Sequence, residues 1–140
     1  YLLINEYIGP NRFQFTNDQL KESNKLLNEI PNQYKKRWNS NAIKKYIYKP
    51  GIFRMFLSDP SEAINSERIL PILNEKFNLI EEKPYGGNIL HLVLNDISHN
   101  FINDNKETKE LLNYLFEKEN DFIKKHNKTD FIFSIYKSDH

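Results

Sequence analysis

The first apolar run of the chain leads into polar and aromatic side chains that could bind or activate a small molecule. Residues 1–4 are almost wholly apolar, which predicts a strand covered on both faces in a parallel sheet. Ligands of open α/β sheets lie beyond the carboxyl ends of the strands. We therefore expect Glu6 to act as a base and Arg12 to hold an anionic group by bidentate contacts. Tyr7 and Gln14 are expected to contribute to binding. The alternative is that Glu6 caps a neighbouring helix or pairs with Arg12.

Histidine supplies a second candidate base. His91 and His99 lie eight residues apart in a segment whose apolar spacing predicts one helix, so that both face roughly the same side. Eight residues rise about 12 Å along a helix, and the two imidazoles therefore cannot share one metal ion. His91 is the better catalytic candidate because it follows a predicted strand and turn at Tyr85, which we expect to bind substrate. For each histidine the alternative is a hydrogen-bonded structural role.

Composition excludes several classes of function. The chain has 140 residues, 20 of them basic and 19 acidic, and this balance makes nucleic-acid binding through overall charge improbable, although a local patch is compatible with it. The absence of cysteine excludes disulfides, thiolate catalysis and cysteine-bound zinc. No segment is apolar enough to cross a membrane, and no secretion signal is recognisable, so we expect a cytoplasmic location.

A basic and aromatic stretch lies at residues 34–49. Such a stretch could contact phosphate, a sugar-phosphate lipid or RNA bases. The alternative is a solvated face with aromatic side chains packed beneath it. The residues concerned are Tyr34, Lys35, Lys36, Arg37, Trp38, Lys44, Lys45, Tyr46, Tyr48 and Lys49.

Apolar spacing and turn signals predict a single α/β unit without repeats or linkers. The predicted elements are a strand at 1–6, a helix at 17–30, a helical or irregular piece at 34–48, an apolar stretch at 53–57, a helix from near 66 to 77, a strand at 77–83, helices at 88–101 and 106–125, and a strand at 129–136. Residues 59–62 resemble a helix cap, and Asn88 is a candidate cap for the helix at 88–101. Pro71 is expected to kink its helix or to separate a short first piece from it.

Three stretches resemble the carboxyl-terminal half of a group of bacterial class I S-adenosylmethionine-dependent methyltransferases. They are NEYIGPNRFQF at 5–15, DPSEAI with SERILPIL at 59–73, and PYGG with ILH at 84–91. The resemblance covers nearly the whole chain. It implies a Rossmann-like sheet in which residues 1–6 form strand five, 77–83 strand six and 129–136 strand seven. Strand seven then lies antiparallel between strands five and six, and the helical segments at 16–57 and 88–126 are insertions that cover the acceptor site.

The family's glycine-rich turn and its ribose-binding acidic residue have no counterpart here, since glycine occurs only at positions 9, 51, 86 and 87. The resemblance therefore implies a fragment that lacks the cofactor half and is not expected to bind S-adenosylmethionine alone. Its parent would methylate oxygen or nitrogen of a small or carbohydrate-linked acceptor. We expect the fragment to pair with the missing half or to self-associate through an exposed strand. The alternative is a non-enzymatic helical module that docks a protein or an anionic polymer.

Overall fold

The computed structural model describes residues 1–40, 42–51, 57 and 61–138. Its internal contacts divide the chain into two compact units, each of which is described by itself. The first comprises Tyr1–Thr16, Lys49–Gly86 and Lys128–His140, and the second comprises Asn17–Tyr48 and Gly87–Asn127. The expectation of a single unit stays a prediction. None of the helices within the described residues is long and apolar enough to span a membrane.

The first unit contains a three-stranded sheet. Its strands are β1 (Leu2–Tyr7), β2 (Asn78–Gly86) and β3 (Phe131–Lys137), in the spatial order β1-β3-β2, and β3 is antiparallel to both neighbours. All three segments were predicted as strands from alternation and apolar content. The structure confirms a mixed α/β fold, and it confirms the central, antiparallel position of the last strand.

The centre of the sheet is β3, whose two faces differ in burial. Ile132, Ser134 and Tyr136 are fully buried, whereas the residues between them are half-buried. The Tyr136 hydroxyl donates to Asn74 Oδ1 at 3.0 Å. Asn74 belongs to helix α2 (Ile69–Lys76), which therefore contacts the fully buried face of β3. The two faces of β3 differ in burial because successive side chains of a strand point to opposite sides of the sheet.

The expectation that β1 is covered on both faces is wrong. Tyr1 is 83% exposed and Leu3 is 61% exposed. Among the described residues, β1 pairs with β3 alone, so it is an edge strand with one ladder of hydrogen bonds. An apolar run shows that a strand can be buried, but burial also needs neighbouring elements to cover it.

Helix α2 begins after a short 3-10 turn at Ser66–Arg68. Pro71 lies in the first turn of α2, where the missing backbone N–H has no intrahelical partner to lose, so the helix is not broken there. The main helix was predicted to start near Ser66 after a short first piece, whereas residues 61–65 form a turn and the α-helix begins at Ile69. The cap predicted at 59–62 and the apolar stretch at 53–57 fall mostly outside the described residues.

The second unit is helical. It contains α1 (Asn17–Glu29), α3 (Leu90–Leu94) and α4 (Lys106–His126), and the structure confirms the predicted bounds of α1 and α4 closely. The Asn105 side chain caps α4 by accepting the N–H of Thr108 at 2.8 Å. The apolar side chains of the three helices form the core of this unit, among them Leu26, Leu27, Leu90, Leu92, Val93, Leu115 and Phe122.

The prediction of one helix over residues 88–101 is wrong. Helix α3 ends at Leu94, and a separate 3-10 turn covers Ser98–Phe101. Between them Asp96 has a left-handed backbone (φ 65), which aspartate tolerates better than most residues. Its carbonyl accepts the N–H of Trp38 at 2.8 Å. These contacts from distant residues fix the break, so apolar spacing alone could not reveal it.

Candidate functional site

A cavity of about 450 Å³ lies in the first unit at the carboxyl end of β1. It is bounded by the last residues of β1, by the turn before α2 and by the first residue of α2. The described lining residues are Glu6, Tyr7, Phe13, Ser61, Glu62, Ala63, Ile64, Asn65, Ser66 and Ile69. The position agrees with the rule that placed a ligand beyond the end of this strand.

Glu6 is exposed and lines the cavity. In the β-ladder it stands opposite Ile132, so its side chain leaves the sheet on the fully buried face of β3. A solvent-accessible carboxylate at the edge of a cavity can accept a proton from a bound hydroxyl or amine. The structure thus gives Glu6 access to the cavity, while its catalytic role stays a prediction.

Tyr7 is held in place on the other face of the sheet. Its hydroxyl donates to the Pro10 carbonyl at 3.0 Å, and its ring contacts Phe13 and Phe131 at centroid distances of 4.7 and 5.3 Å. Burial raises the pKa of Tyr7, and the negative charges of Asp130 and Glu67 raise it further. Tyr7 therefore stays a neutral phenol and offers the cavity an aromatic surface rather than a base.

The loop after β1 is tied to the turn before α2. Ser66 Oγ donates to the Gly9 carbonyl at 2.8 Å, and the Arg12 N–H donates to the Ala63 carbonyl at 2.6 Å. The side-chain oxygen of Asn11 accepts the N–H of Glu67 at 3.2 Å. These bonds hold two walls of the cavity together, although the residues are more than 50 positions apart in the sequence.

Arg12 shapes the loop after β1 through its backbone conformation, and Gln14 shapes it through its side-chain amide. Arg12 has a left-handed backbone (φ 52, ψ 34) and is not among the described residues that line the cavity. The Gln14 amide donates to the carbonyls of Arg12 at 3.2 Å and of Pro50 at 3.0 Å. The amide nitrogen of Gln14 thus has an observed structural use. The predicted binding roles of both residues stay predictions.

Tyr85 lies near Tyr7 on one face of the sheet, because the rings of both contact Phe131. The Tyr85 hydroxyl donates to Asn5 Oδ1 at 2.6 Å, and the residue is 55% exposed. The structure therefore brings two predicted site residues together around Phe131. Phe131 was predicted only as a strand residue. Its position next to the site follows from the central place of β3, which the resemblance implied.

His91 lies in the second unit, half-buried on α3. Since α3 ends at Leu94, His91 and His99 do not share a helix, and that expectation is wrong. His99 instead meets the edge of Trp38 at a centroid distance of 5.7 Å. The choice of His91 as a base stays a prediction.

Two buried charged side chains hold the ends of α3. Glu119 of α4 accepts the backbone N–H groups of Asn88, Ile89 and Leu90 at 2.7, 3.0 and 2.9 Å. The expected Asn88 cap is replaced by this carboxylate, since no side-chain cap is made by the residue at the N-terminus of α3. Carboxylates are stabilised by the amino ends of helices, which explains the choice of residue.

The Lys44 ammonium group holds the other end of α3. It donates to the carbonyls of Leu92, Val93 and Asn95 at 2.7, 3.1 and 2.7 Å. These carbonyls have no intrahelical partners at the end of a helix, and a cation is favoured there. Glu119 was not singled out from the sequence, whereas Lys44 was named in the basic aromatic stretch that could contact phosphate. The contacts of both residues give them a structural role.

Raising the pH from 8 to 9.5 is expected to increase the free energy of unfolding by about 1.5 kcal/mol. Burial lowers the pKa of Lys44 from its ordinary 10.5 to about 8, while the nearby charges of Asp96 and Arg37 act in opposite directions. Over this pH range Lys44 binds more protons in the unfolded chain than in the folded one, so its contribution makes stability rise with pH, while the raised pKa values of Tyr7 and Tyr136 offset a small part of the gain. Urea unfolding at both pH values measures the change. Lys44→Met should abolish it, and a flat or falling profile in the unchanged chain would contradict the assignment.

A smaller cavity of about 200 Å³ lies in the second unit between α1 and α4. Its floor is apolar and its rim carries charges of both signs. The lining residues are Glu22, Lys25, Leu26, Glu29, Ile89, Lys118, Asp121, Phe122 and Lys125. None of the predicted site residues is among them, and no group of three metal-binding side chains is found in the described parts of the chain.

The described glycines do not fit a site for S-adenosylmethionine. A Cβ atom at Gly9 would lie 2.6 Å from Asp130 and 2.7 Å from the Tyr7 ring, so protein atoms already fill the space a ligand would need. Gly86 and Gly87 have positive φ angles of 98 and 80, and they serve the turn after β2. The loop at Gly9 is therefore closed to a ligand by protein atoms, and the expectation about S-adenosylmethionine stays a prediction.

The fold and cavity define a mixed α/β protein with a three-stranded antiparallel sheet and a cavity at the end of its first strand. No protein-family model, no curated protein and no solved structure matches the chain.

Proposed function

We propose that this chain is the acceptor-side half of an S-adenosylmethionine-dependent methyltransferase, which methylates oxygen or nitrogen of a small or carbohydrate-linked acceptor. The observation that supports this most is the strand order β1-β3-β2 with β3 antiparallel to both neighbours. The resemblance assigns these strands to positions five, seven and six of the methyltransferase sheet. The cavity at the end of β1 also lies where the acceptor is expected.

The cavity residues fit the limited demands of methyl transfer. The reaction needs an aligned nucleophile, and a base where the acceptor must lose a proton. In this proposal Glu6 accepts the proton from the acceptor hydroxyl or amine. The rings of Tyr7 and Phe13 pack against its apolar part, and Tyr85 contributes from the same face as Tyr7. Arg12 binds an anionic substituent. His91 belongs to the second unit and is not among the described residues that line the cavity, so its role as a base stays a prediction.

The cofactor site of the proposed enzyme belongs to residues outside this chain. Strand β1 has a free edge among the described residues, and its exposed apolar side chains include Tyr1 and Leu3. A free strand edge is a template for pairing with another strand. The proposal assigns this edge to the half that binds the cofactor, or to a second copy of the chain when that half is absent.

Calorimetry with S-adenosylhomocysteine tests the proposal. A gene product that carries this chain together with the cofactor half is expected to bind with micromolar affinity, and the 140-residue chain is expected to show no heat of binding. Micromolar binding by the chain alone would show that the cofactor half is wrongly assigned. The absence of binding by the folded gene product would contradict the methyltransferase proposal itself.

A further inference from the structure

The segment between Glu29 and Asp59 carries basic charge only. It contains seven lysine and arginine residues and no aspartate or glutamate. This local charge is hidden by the whole-chain balance of +1. Whole-chain charge therefore does not decide what this part of the surface binds, because electrostatic attraction at short range depends on the local charges.

An isolated antiparallel bridge separates the charges beside it into buried and exposed groups. Lys36 pairs with Ile43, and the Lys44 N–H donates to the Lys35 carbonyl at 2.8 Å. Successive side chains beside such a bridge point to opposite faces. Lys35 and Lys44 are buried on the inner face, and Arg37 pairs there with Asp96 at 2.8 Å.

The outer face of the bridge presents Lys36, Trp38 and Lys45 to solvent. Lys36 and Lys45 are both exposed, and they are diagonal neighbours across the bridge. Trp38 is 76% exposed, although its backbone N–H is bonded to the Asp96 carbonyl. The backbone of Trp38 is thus held by a hydrogen bond, while its ring is open to solvent.

Two exposed tyrosines follow Lys45 closely along the chain. Asn24 of α1 accepts the N–H of Ile47 at 2.8 Å and donates to its carbonyl at 3.0 Å, so its side chain replaces a strand partner. The side chain of Ile47 is buried. Tyr46 and Tyr48 consequently point outward, with 50% and 76% of their surface exposed, and their ring centroids lie 4.6 Å apart.

These five side chains form a basic aromatic face, defined as Lys36, Trp38, Lys45, Tyr46 and Tyr48. The Trp38 ring contacts His99, and the rings of Tyr46 and Tyr48 contact each other, yet half or more of the surface of each of these three residues stays exposed. Planar rings stack on nucleobases whatever the sequence, and adjacent lysines neutralise phosphates. We propose that the basic aromatic face binds single-stranded nucleic acid. A duplex hides its base faces and would offer only its phosphates.

Fluorescence titration tests this proposal on the 140-residue chain, because Trp38 is its only tryptophan. The probe is a 15-nucleotide oligothymidylate at 50 mM salt. We expect quenching of the Trp38 emission as the base stacks on the ring. An oligonucleotide that binds without changing this emission would contradict stacking at Trp38, and a failure to bind would overturn the proposal.

Anisotropy of a labelled oligothymidylate distinguishes binding by the aromatic side chains from nonspecific binding to the protein surface. Trp38→Ala, and Tyr46→Ala combined with Tyr48→Ala, are each expected to weaken binding at least tenfold. Phe116→Ala is the matched control, since Phe116 is 50% exposed on α4, and it should change the affinity less than twofold. Equal affinities for all variants would overturn the proposed face. Circular dichroism verifies that each variant is folded.

Salt dependence tests the contribution of the two lysines, and competing polymers test the preference for single strands. Lys36→Gln combined with Lys45→Gln should reduce the slope of log Kd against log salt by about 1.4, corresponding to two phosphate contacts. Heparin has sulfates but no bases, and its affinity should not respond to Trp38→Ala. If duplex DNA or heparin binds as tightly as the single strand, the face is a general anion surface and the proposal is wrong.

Discussion

Replacing Glu119 with alanine is expected to lower the free energy of unfolding by about 3 to 5 kcal/mol. The Glu119 carboxylate is 6% exposed and accepts three backbone N–H groups at the start of α3. Alanine removes the acceptor for all three donors, and water has little access to replace it. Each unsatisfied buried donor costs about 1 to 3 kcal/mol, although neighbouring losses are not fully additive. Urea unfolding followed at 222 nm measures the change.

Two variants of the same helix control this experiment. Glu117 is exposed on α4, and Glu117→Ala should change stability by less than about 0.5 kcal/mol. Glu119→Gln keeps one carbonyl acceptor but turns an amide donor toward the same N–H groups, so we expect about half the loss seen with alanine. If Glu119→Ala were as stable as Glu117→Ala, the carboxylate would not hold the start of α3.

Gly9→Ala is expected to destabilise the first unit by about 2 to 3 kcal/mol. Gly9 is buried and lies in the loop that directly follows β1. An added Cβ would lie 2.6 Å from Asp130 Cγ and 2.7 Å from two atoms of the Tyr7 ring. Both neighbours are held by other contacts, so the backbone of the loop must shift and carry the Ser66 bond with it. Thermal or urea unfolding measures the loss.

Gly51→Ala is the matched control for this prediction. Among the described residues, nothing lies within 4 Å of the position of an added Cβ at Gly51. Alanine there should leave stability unchanged or raise it by less than about 1 kcal/mol, because it restricts the unfolded chain. Equal effects of the two substitutions would show that the close approach at Gly9 does not constrain the loop.

Elements with a strong local pattern were predicted well from the sequence. The alternation at residues 129–136 indicated β3, and the helical spacing over 106–125 indicated α4. Both patterns arise from the side chains of the element itself, so no knowledge of distant residues is needed. The antiparallel position of β3 could not be obtained in this way. It came from the family resemblance.

Elements shaped by distant contacts were predicted poorly. The helix expected over 88–101 is interrupted because Lys44 bonds the carbonyls at the end of α3 and Trp38 bonds Asp96. The burial of β1 was overestimated, since its apolar composition does not show which elements cover it. In each case the structure depends on contacts with residues that lie far away in the sequence.

The candidate site was predicted in part. The rule that ligands bind beyond the ends of strands placed Glu6 and Tyr7 at the observed cavity. The turn at 61–66 also lines the cavity, and it is held there by bonds to the loop after β1 that come from residues distant in the sequence. Phe131 joins Tyr7 and Tyr85 through ring contacts that only the sheet order reveals.

Hydrogen exchange of the β1 amides in a gene product that also carries the proposed cofactor half tests the central claim most directly. The claim is that β1 is an interior strand of a larger sheet, and that its edge opposite β3 pairs with residues outside this chain. The account predicts that the β1 amides pointing away from β3 exchange slowly in the gene product and rapidly in the 140-residue chain under monomeric conditions. Rapid exchange of these amides in the gene product, while those of β3 stay protected, would contradict it.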